Sequence, residues 1–132
     1  MADLEADKLE KLIRRGYLEA GRVVVTIPRF TVLKVPRGPD PELEPGDIRV
    51  VWDLRKNGVN DEMYTPGFTM PTLGTYLRRI EAGTFAGDFD VGEQFHNYQL
   101  HESERARQGV EIPSELVGRL RAESIEVEDI MR

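Results

Sequence analysis

The sequence predicts an α+β fold, in which helices and short antiparallel strands alternate along one modest domain. Two stretches rich in β-branched residues, 22–35 and 48–54, flank a loop with several Pro and Gly residues, which is typical of a β-hairpin. Apolar residues recur at helical spacing at 3–15, at 72–80 and from 113 onwards. A length of 132 residues suits one such domain and is too short for two well-buried ones.

Composition and hydropathy indicate a chain that builds a core and does not enter a membrane. Hydrophobic residues make up 39% of the sequence and charged residues 32%, which is typical of globular proteins. No apolar run approaches the roughly 18–20 residues that span a bilayer. The absence of cysteine excludes disulfides and thiolate metal sites, and is compatible with a reducing compartment. We expect an intracellular location, in the cytoplasm or the nucleus, and no membrane partner.

The charge of the chain is unevenly distributed. The net charge of −6 argues against an isolated nucleic-acid-binding domain, because phosphate neutralisation requires Lys and Arg. Residues 1–38 carry eight Lys and Arg against five Asp and Glu, a net of +3, whereas residues 39–132 carry ten against nineteen, a net of −9. Two explanations of this charge distribution stay open. One is a basic surface beside an acidic metal-binding region, and the other is the ordinary variation of charge among solvent-exposed surfaces.

The first predicted element is an amphipathic helix over residues 3–15. Asp3 can cap its start, and Gly16 stands where a left-handed residue ends many helices. Its apolar stripe at i, i+3, i+4 spacing consists of Leu9, Leu12 and Ile13.

A β-hairpin follows. Residues 22–35 are predicted to be extended and interrupted by Pro28, residues 37–47 form a loop, and residues 48–54 form the second strand. The next stretch, 56–71, is predicted to be irregular with a turn at Asn57-Gly58.

A short helix is predicted to begin after Thr72, which can cap it, and to run through Ile80 until Gly83. Residues 84–89 then form a strand, and residues 92–97 a turn or short helix.

The last part of the chain is predicted to be extended over 98–112, and Pro113-Ser114 opens a final amphipathic helix. Its apolar residues are Leu116, Val117 and Leu120.

Asp90 is the first candidate for chemistry, because it directly follows the predicted strand 84–89. A carboxylate at a strand end supplies the oxygen ligand that Mg²⁺ prefers. In phosphoryl transfer, two metal ions about 3.5–4 Å apart stabilise the attacking and leaving oxygens. Asp88 shares a face with Asp90 in an extended chain, so it can act as an outer ligand or pair with an Arg.

The segment Asp90-Val-Gly-Glu-Gln-Phe95 resembles the first catalytic motif of reverse transcriptases, in which an Asp is followed five residues later by Tyr or Phe. The resemblance implies that Asp90 ligates Mg²⁺ (or Mn²⁺) and that the backbone carbonyl of Val91 adds a ligand. It also implies that amides near Glu93 and Gln94 face the incoming triphosphate. The family often has Asp at the position of Glu93 and a small residue at that of Gln94.

The resemblance assigns Phe95 to the sugar pocket. An aromatic ring packed under C2′ leaves no room for a 2′-hydroxyl, so the ring selects deoxynucleotides.

A second block, Arg49-Val-Val-Trp-Asp53-Leu-Arg55, resembles the fingers motif of the same family. The resemblance implies that Arg49 pairs with a phosphate of the nucleotide, which a planar guanidinium does well. It implies that Asp53 and Arg55 are structural, and that either Asn57 or Asn60 ends the motif.

Upstream, FTVLKV at 30–35 resembles the family strand whose Lys reaches the γ-phosphate, which makes Lys34 the candidate. The resemblance covers most of residues 8–112. It implies a single partial domain of a right-hand polymerase, with fingers over 8–70, the start of the palm over 71–112, and an acidic helical tail over 113–132.

No segment after Asp90 resembles the family's second signature, an aromatic-x-Asp-Asp hairpin. We therefore expect a fingers and partial-palm fragment, with the rest of the palm and the thumb missing, that does not polymerise alone. The intact polymerase would bind RNA or DNA template–primer and dNTP.

Two alternatives stay open. One is a catalytically inactive module that keeps the fold and binds nucleic acid or a protein partner. The other is a metal-dependent hydrolase that uses Asp88 and Asp90. His96 and His101 have no third ligand near them in the sequence, and we interpret both as ordinary polar residues.

Overall fold

The computed structural model describes residues 2–34 and 42–132, and it has the mixed α+β composition that the sequence predicts. The predicted loop at 37–47 lies partly outside the described residues. In chain order the elements are α1 (Ala2–Arg14), β1 (Arg29–Leu33), a 3₁₀ turn (Pro45–Asp47), β2 (Ile48–Trp52), α2 (Val59–Glu62), α3 (Leu73–Leu77), α4 (Gln94–Asn97), α5 (Glu102–Arg105), β3 (Val110–Glu111), α6 (Ser114–Ala122) and β4 (Ile130–Met131). No helix among the described residues is long and apolar enough to cross a membrane.

The chain divides into two units. The first consists of Met1–Glu62 with Gln99–Arg132, and the second is Met63–Tyr98. The buried hydrophobic cluster belongs wholly to the first unit and contains Leu9, Ile13, Val110, Ile112, Leu116, Val117, Leu120, Val127 and Met131.

Helix α1 forms as the sequence predicts, with its apolar stripe buried. It begins at Ala2, so Asp3 lies inside the first turn, where its negative charge favours the helix dipole. Gly16 ends the helix with a left-handed φ of 75°. The Gly16 amide donates to the Ile13 carbonyl and the Tyr17 amide to the Leu12 carbonyl, both at 3.0 Å, which is the Schellman pattern.

Strands β1 and β2 form the predicted antiparallel hairpin. Leu33 pairs with Ile48, and Arg29 with Trp52. Ile48 is fully buried, so one face of the hairpin is fixed to the core. The register is specified by this burial, because a shift by one residue would move Ile48 to the solvent side.

Helix α6 packs its apolar stripe into the core, as its spacing predicts. The adjoining strands β3 and β4 pair Val110 with Met131 and Glu111 with Ile130. The sequence predicted β3 only as part of the extended stretch 98–112, and it did not predict β4, because a two-residue strand leaves no alternating pattern to detect.

Ion pairs join α1 to the α6 region at their surface. The Glu10 carboxylate accepts from Arg14 at 2.9 Å and from Arg119 at 2.6 Å, and Arg14 also donates to Glu123. The hydrogen bond to Glu123, followed by that to Glu10, raises the pKa of Arg14 above its ordinary value. Because these groups are largely exposed, their net contribution to stability is small.

Glu19 ties the segment after α1 to the last residue of the sequence. The Glu19 and Arg132 backbones exchange two hydrogen bonds of 2.9 Å. The Glu19 carboxylate also accepts from Arg105 at 3.1 Å and from Arg132 at 3.0 Å. The hydrogen bond from Arg105 is the main cause that lowers the pKa of Glu19 below its ordinary value.

Gly109 lies where two backbone segments approach closely. Its amide donates to the Val25 carbonyl at 2.9 Å, and its carbonyl accepts from the Ile27 amide at 2.7 Å. A Cβ at this position would lie 2.8 Å from the Val25 carbonyl oxygen and would clash with the Val23 side chain. The close approach leaves no room for a side chain at position 109, so only glycine fits there.

The second unit contains short helices and no core. Thr72 caps α3 as predicted, because its hydroxyl accepts from the Thr75 amide. The helix ends at Leu77, earlier than the predicted Ile80. Every residue of this unit is exposed except Glu93, which is half-buried.

The strand predicted over 84–89 is wrong, because this segment has neither helix nor strand structure. Its aromatic residues Phe85 and Phe89 are 98% and 90% exposed, so the alternating pattern has no surface to pack against. The extended stretch predicted over 98–112 is wrong in part, since α5 occupies Glu102–Arg105. The turn or short helix predicted over 92–97 is confirmed, since a turn at 92–93 leads into α4.

Candidate functional site

Lys34 and Arg49 lie on the same face of the hairpin. Arg49 pairs with Val32 across the ladder, and the Lys34 amide donates to the Asp47 carbonyl at 2.9 Å. Opposite residues of an antiparallel pair share a face, and so do residues two apart along a strand. The side chains of Lys34 and Arg49 therefore project from the face opposite to that of the buried Ile48.

Both cations on this face are exposed. Within the described residues, neither the Lys34 ammonium nor the Arg49 guanidinium makes a hydrogen bond or an ion pair. Arg29, at the other end of β1, differs from them. It donates to Glu5 at 2.5 Å and to the Glu111 carbonyl at 2.5 Å. Among the described residues, the cations at positions 34 and 49 thus have no competing partner, whereas the Arg29 guanidinium binds Glu5 and the Glu111 carbonyl.

Apolar side chains lie between and beside these cations. Phe30 and Val32 share the face of Arg49 and are 47% and 37% exposed. The face therefore combines positive charge with an accessible aromatic ring. Such a combination suits an anion attached to a flat aromatic group, as in a nucleotide. We refer to Phe30, Val32, Lys34 and Arg49 as the hairpin cation face.

The candidate metal ligands Asp88, Asp90 and Val91 belong to the second unit. All three are exposed and lie outside helices and strands. Sequence reasoning placed Asp90 at the tip of a buried strand, and this placement is wrong because residues 84–89 have no partner strand in the described chain. Carboxylate and carbonyl oxygens have the chemistry that Mg²⁺ requires. The described residues nonetheless contain no cluster of three or more His, Asp or Glu side chains able to hold a metal ion.

The turn after Asp90 has an unusual backbone at Glu93. This residue has φ 53° and ψ 45°, in the left-handed region that non-glycine residues seldom adopt. It precedes α4, and the Glu93 carbonyl accepts from the His96 amide at 3.0 Å. A left-handed residue next to a right-handed one turns neighbouring amides toward one side, which makes an anion-binding concavity. Sequence reasoning missed this geometry, because Glu carries no preference for it.

Gln94 and Phe95 are the first two residues of α4. The Phe95 ring is 92% exposed, so it packs against no core in this structure. The Asn97 side chain donates to the Gly92 carbonyl at 3.1 Å and closes the turn around Glu93.

The candidate residues therefore fall into two groups. Lys34 and Arg49 belong to the first unit, and the hairpin brings them together on one face. Asp88, Asp90, Val91, Glu93, Gln94 and Phe95 all belong to the second unit.

The structure distinguishes Asn57 from Asn60 by their contacts. The half-buried Asn57 side chain donates to the Thr26 carbonyl at 2.9 Å and accepts from the Val59 amide at 3.2 Å. Asn60 is exposed, and its side chain makes no hydrogen bond to a described residue. Asn57 thus fastens the chain after β2 to the segment before β1. This long-range contact has no signal in the local sequence.

Asp53 also has a structural role. Its amide donates to the Pro28 carbonyl at 2.8 Å, and its carboxylate accepts from the Lys56 amide at 3.0 Å. The first bond extends the hairpin ladder by one residue, and the second starts the turn that leads to Asn57.

A depression of about 350 Å³ lies elsewhere in the first unit. Its wall contains the ion pair between Glu5 and Arg29, and none of the candidate residues.

Comparison of the chain with protein-family models, curated proteins and solved structures gives no match.

Proposed function

We propose that this chain is the fingers and first palm segment of an RNA-directed DNA polymerase of retroelement origin, and that it contributes nucleotide binding and the first metal-binding Asp. The observation that carries the proposal is the hairpin cation face, where Lys34 and Arg49 project side by side without partners among the described residues. The sequence resemblance assigns these two residues to the triphosphate, and the hairpin register supports that assignment.

Charge complementarity between the hairpin cation face and a triphosphate supports this binding. A nucleotide triphosphate presents several anionic oxygens, and the Arg49 guanidinium can bind two of them in parallel. Lys34 offers a compact charge with rotatable donors. Because neither cation has an ion-pair partner among the described residues, ligand binding breaks no internal salt bridge there. The adjacent Phe30 ring offers an apolar surface to the base or sugar.

The resemblance assigns the metal ligands to residues of the second unit. Asp90 and the Val91 carbonyl, with Asp88, would hold Mg²⁺ (or Mn²⁺), which neutralises charge on the transferring phosphoryl group when bound. The amides at Glu93 and Gln94 would face phosphate oxygens, and the left-handed Glu93 supports this role. Phe95 would exclude the 2′-hydroxyl.

The proposal is tested by titrating the 132-residue chain with dTTP and Mg²⁺. NMR chemical shifts or calorimetry would measure the affinity for dTTP. The double variant K34A/R49A should bind dTTP about tenfold or more weakly, because it loses two charge-assisted contacts. The control variant R22A/K56A removes one exposed Arg and one exposed Lys that have no side-chain partner among the described residues. It should bind within about twofold of the unmodified chain.

Two results would contradict the proposal. One is equal weakening in both double variants, which would indicate a nonspecific charge effect. The other is the absence of dTTP binding to the unmodified chain at millimolar concentration.

The role of Phe95 requires an assembled polymerase that contains this segment. There, Phe95→Ala should admit ribonucleotides in a primer-extension assay, with Phe89→Ala as the matched aromatic control. Sugar discrimination that is the same in both variants would count against the assignment.

The alternative function is that of a catalytically inactive module that binds nucleic acid. Exposed aromatic rings in the second unit favour it, because bases stack on such rings. They are Tyr64, Phe68, Tyr76, Phe85, Phe89, Phe95 and Tyr98. Salt-sensitive binding of a single-stranded oligonucleotide, unaffected by K34A/R49A and without dTTP binding, would favour this alternative over the polymerase fragment.

A further inference from the structure

Asp47 lies on the hairpin cation face, although no sequence pattern assigns it a role. It stands opposite Lys34 in the continued register of the hairpin and two residues before Arg49. A half-buried carboxylate therefore shares a surface with the two proposed phosphate ligands.

The contacts of Asp47 close the turn that begins β2. Its amide donates to the Glu44 carbonyl at 2.9 Å, and its carboxylate accepts from the Glu44 amide at 2.9 Å. Pro45 supports the same turn, because its ring fixes φ at the first position of the 3₁₀ segment. The turn therefore presents the Asp47 carbonyl in a fixed direction.

That carbonyl accepts the hydrogen bond from the Lys34 amide, next to the last paired residues of the ladder, Leu33 and Ile48. Beyond Lys34 the chain enters the loop of the hairpin. The bond to Asp47 thus extends the ladder by one residue and holds Lys34 beside Arg49.

We infer that Asp47 is a positioning residue: its carboxylate closes the turn, and the turn holds Lys34 in register with Arg49 on the hairpin cation face. This inference rests on the proposed function for its relevance to nucleotide binding. The carboxylate also repels an incoming phosphate by its charge. Its positioning effect therefore raises the affinity for the ligand, whereas its electrostatic effect lowers it.

Two substitutions separate these effects. Asp47→Asn keeps an oxygen that accepts from the Glu44 amide and removes the negative charge. Asp47→Ala removes both. Glu42→Gln is the charge control, because Glu42 is exposed nearby and makes no side-chain contact with a described residue.

The first measurement is hydrogen exchange of the Lys34 amide in the full chain by NMR. Asp47→Ala should accelerate exchange about fivefold to tenfold, because the turn loses one hydrogen bond, whereas Asp47→Asn and Glu42→Gln should stay within about twofold of the unmodified chain. Unchanged exchange in Asp47→Ala, or equal acceleration in Asp47→Asn, would overturn the inference.

The second measurement is the affinity for inorganic tripolyphosphate. Asp47→Asn should bind as tightly as the unmodified chain or more tightly, and Asp47→Ala more weakly than Asp47→Asn by about threefold or more. Tighter binding by both variants would show a purely electrostatic role and overturn the positioning role. Failure of the unmodified chain to bind contradicts the proposed function instead, and the exchange rates still decide the role of Asp47.

Discussion

The two units of this chain differ in what their apolar side chains contact. In Met1–Glu62 with Gln99–Arg132, residues such as Leu9 and Leu120 are fully buried. In Met63–Tyr98, side chains as large as Phe85 are almost fully exposed. Local signals therefore suffice for a single helical turn, as at the Thr72 cap, whereas strands and long helices form where burial stabilises them.

A matched pair of leucines, one from each unit, tests the difference in burial with the largest expected effect. Leu120→Ala should lower the free energy of unfolding by about 2–5 kcal/mol, because it leaves a cavity in the core. Leu77→Ala, in a side chain that is 55% exposed, should change it by less than about 0.5 kcal/mol. Chemical denaturation followed by circular dichroism measures both. Similar losses in the two variants would contradict the division into a buried and an exposed unit.

A pair of glycines makes the same comparison for the backbone. Gly109→Ala should destabilise by about 1–3 kcal/mol, since the new Cβ would meet the Val25 carbonyl and force the two segments apart. Gly87→Ala meets no atom within 4 Å and has no positive φ. Its free energy of unfolding should be unchanged or raised by less than about 1 kcal/mol. Denaturation midpoints that shift equally would show that the close approach at Gly109 is absent.

Two asparagines of the first unit allow a half-buried, hydrogen-bonded side chain to be compared with an exposed one. Asn57→Ala removes a half-buried side chain that makes two hydrogen bonds, and should lower the free energy of unfolding by about 1–2 kcal/mol. Asn60→Ala should cost less than about 0.5 kcal/mol because its side chain is exposed. A larger loss for Asn60→Ala would reverse the assignment of the structural Asn.

The smallest expected effect is the pH dependence at Glu19. Its folded-state pKa is lowered, so its contribution to stability is present above its ordinary value of 4.5 and is lost as pH falls through the folded-state value. Glu19→Gln should therefore cost up to about 1 kcal/mol at neutral pH and progressively less in acid.

The control for Glu19 is Glu126→Gln, which changes an exposed carboxylate without a side-chain partner in the described part of the chain. Urea midpoints should be measured from neutral pH down through the folded-state pKa of Glu19. The midpoints of Glu19→Gln and the unmodified chain should converge as the pH falls, whereas those of the control should keep a constant difference from the unmodified chain. A constant difference between Glu19→Gln and the unmodified chain would exclude a pH-linked role for this carboxylate.

Sequence reasoning succeeded where the whole signal lies within one segment of the sequence. The stripes of α1 and α6 and the hairpin 29–52 were predicted because apolar spacing and turn residues agree. It failed for 84–89, where alternation existed without a neighbouring strand, and for β4, which is too short to leave a pattern.

The candidate site shows the same limit. The placement of Lys34 and Arg49 on one hairpin followed from the strand prediction. The left-handed Glu93, the turn at Asp47 and the contact from Asn57 to Thr26 did not, because each depends on backbone geometry or on a distant partner.

The ion pair between Glu10 and Arg119, which are 109 residues apart, has a consequence for biosynthesis. The apolar stripe of the first helix packs with residues that a ribosome adds about 110 residues later. At about 5–20 residues per second, that stripe waits roughly 5–20 s for its partners. During this interval the apolar stripe of the nascent helix stays exposed and can bind chaperones. The yield of folded protein should therefore depend more on chaperones than on the free energy of unfolding of the finished protein.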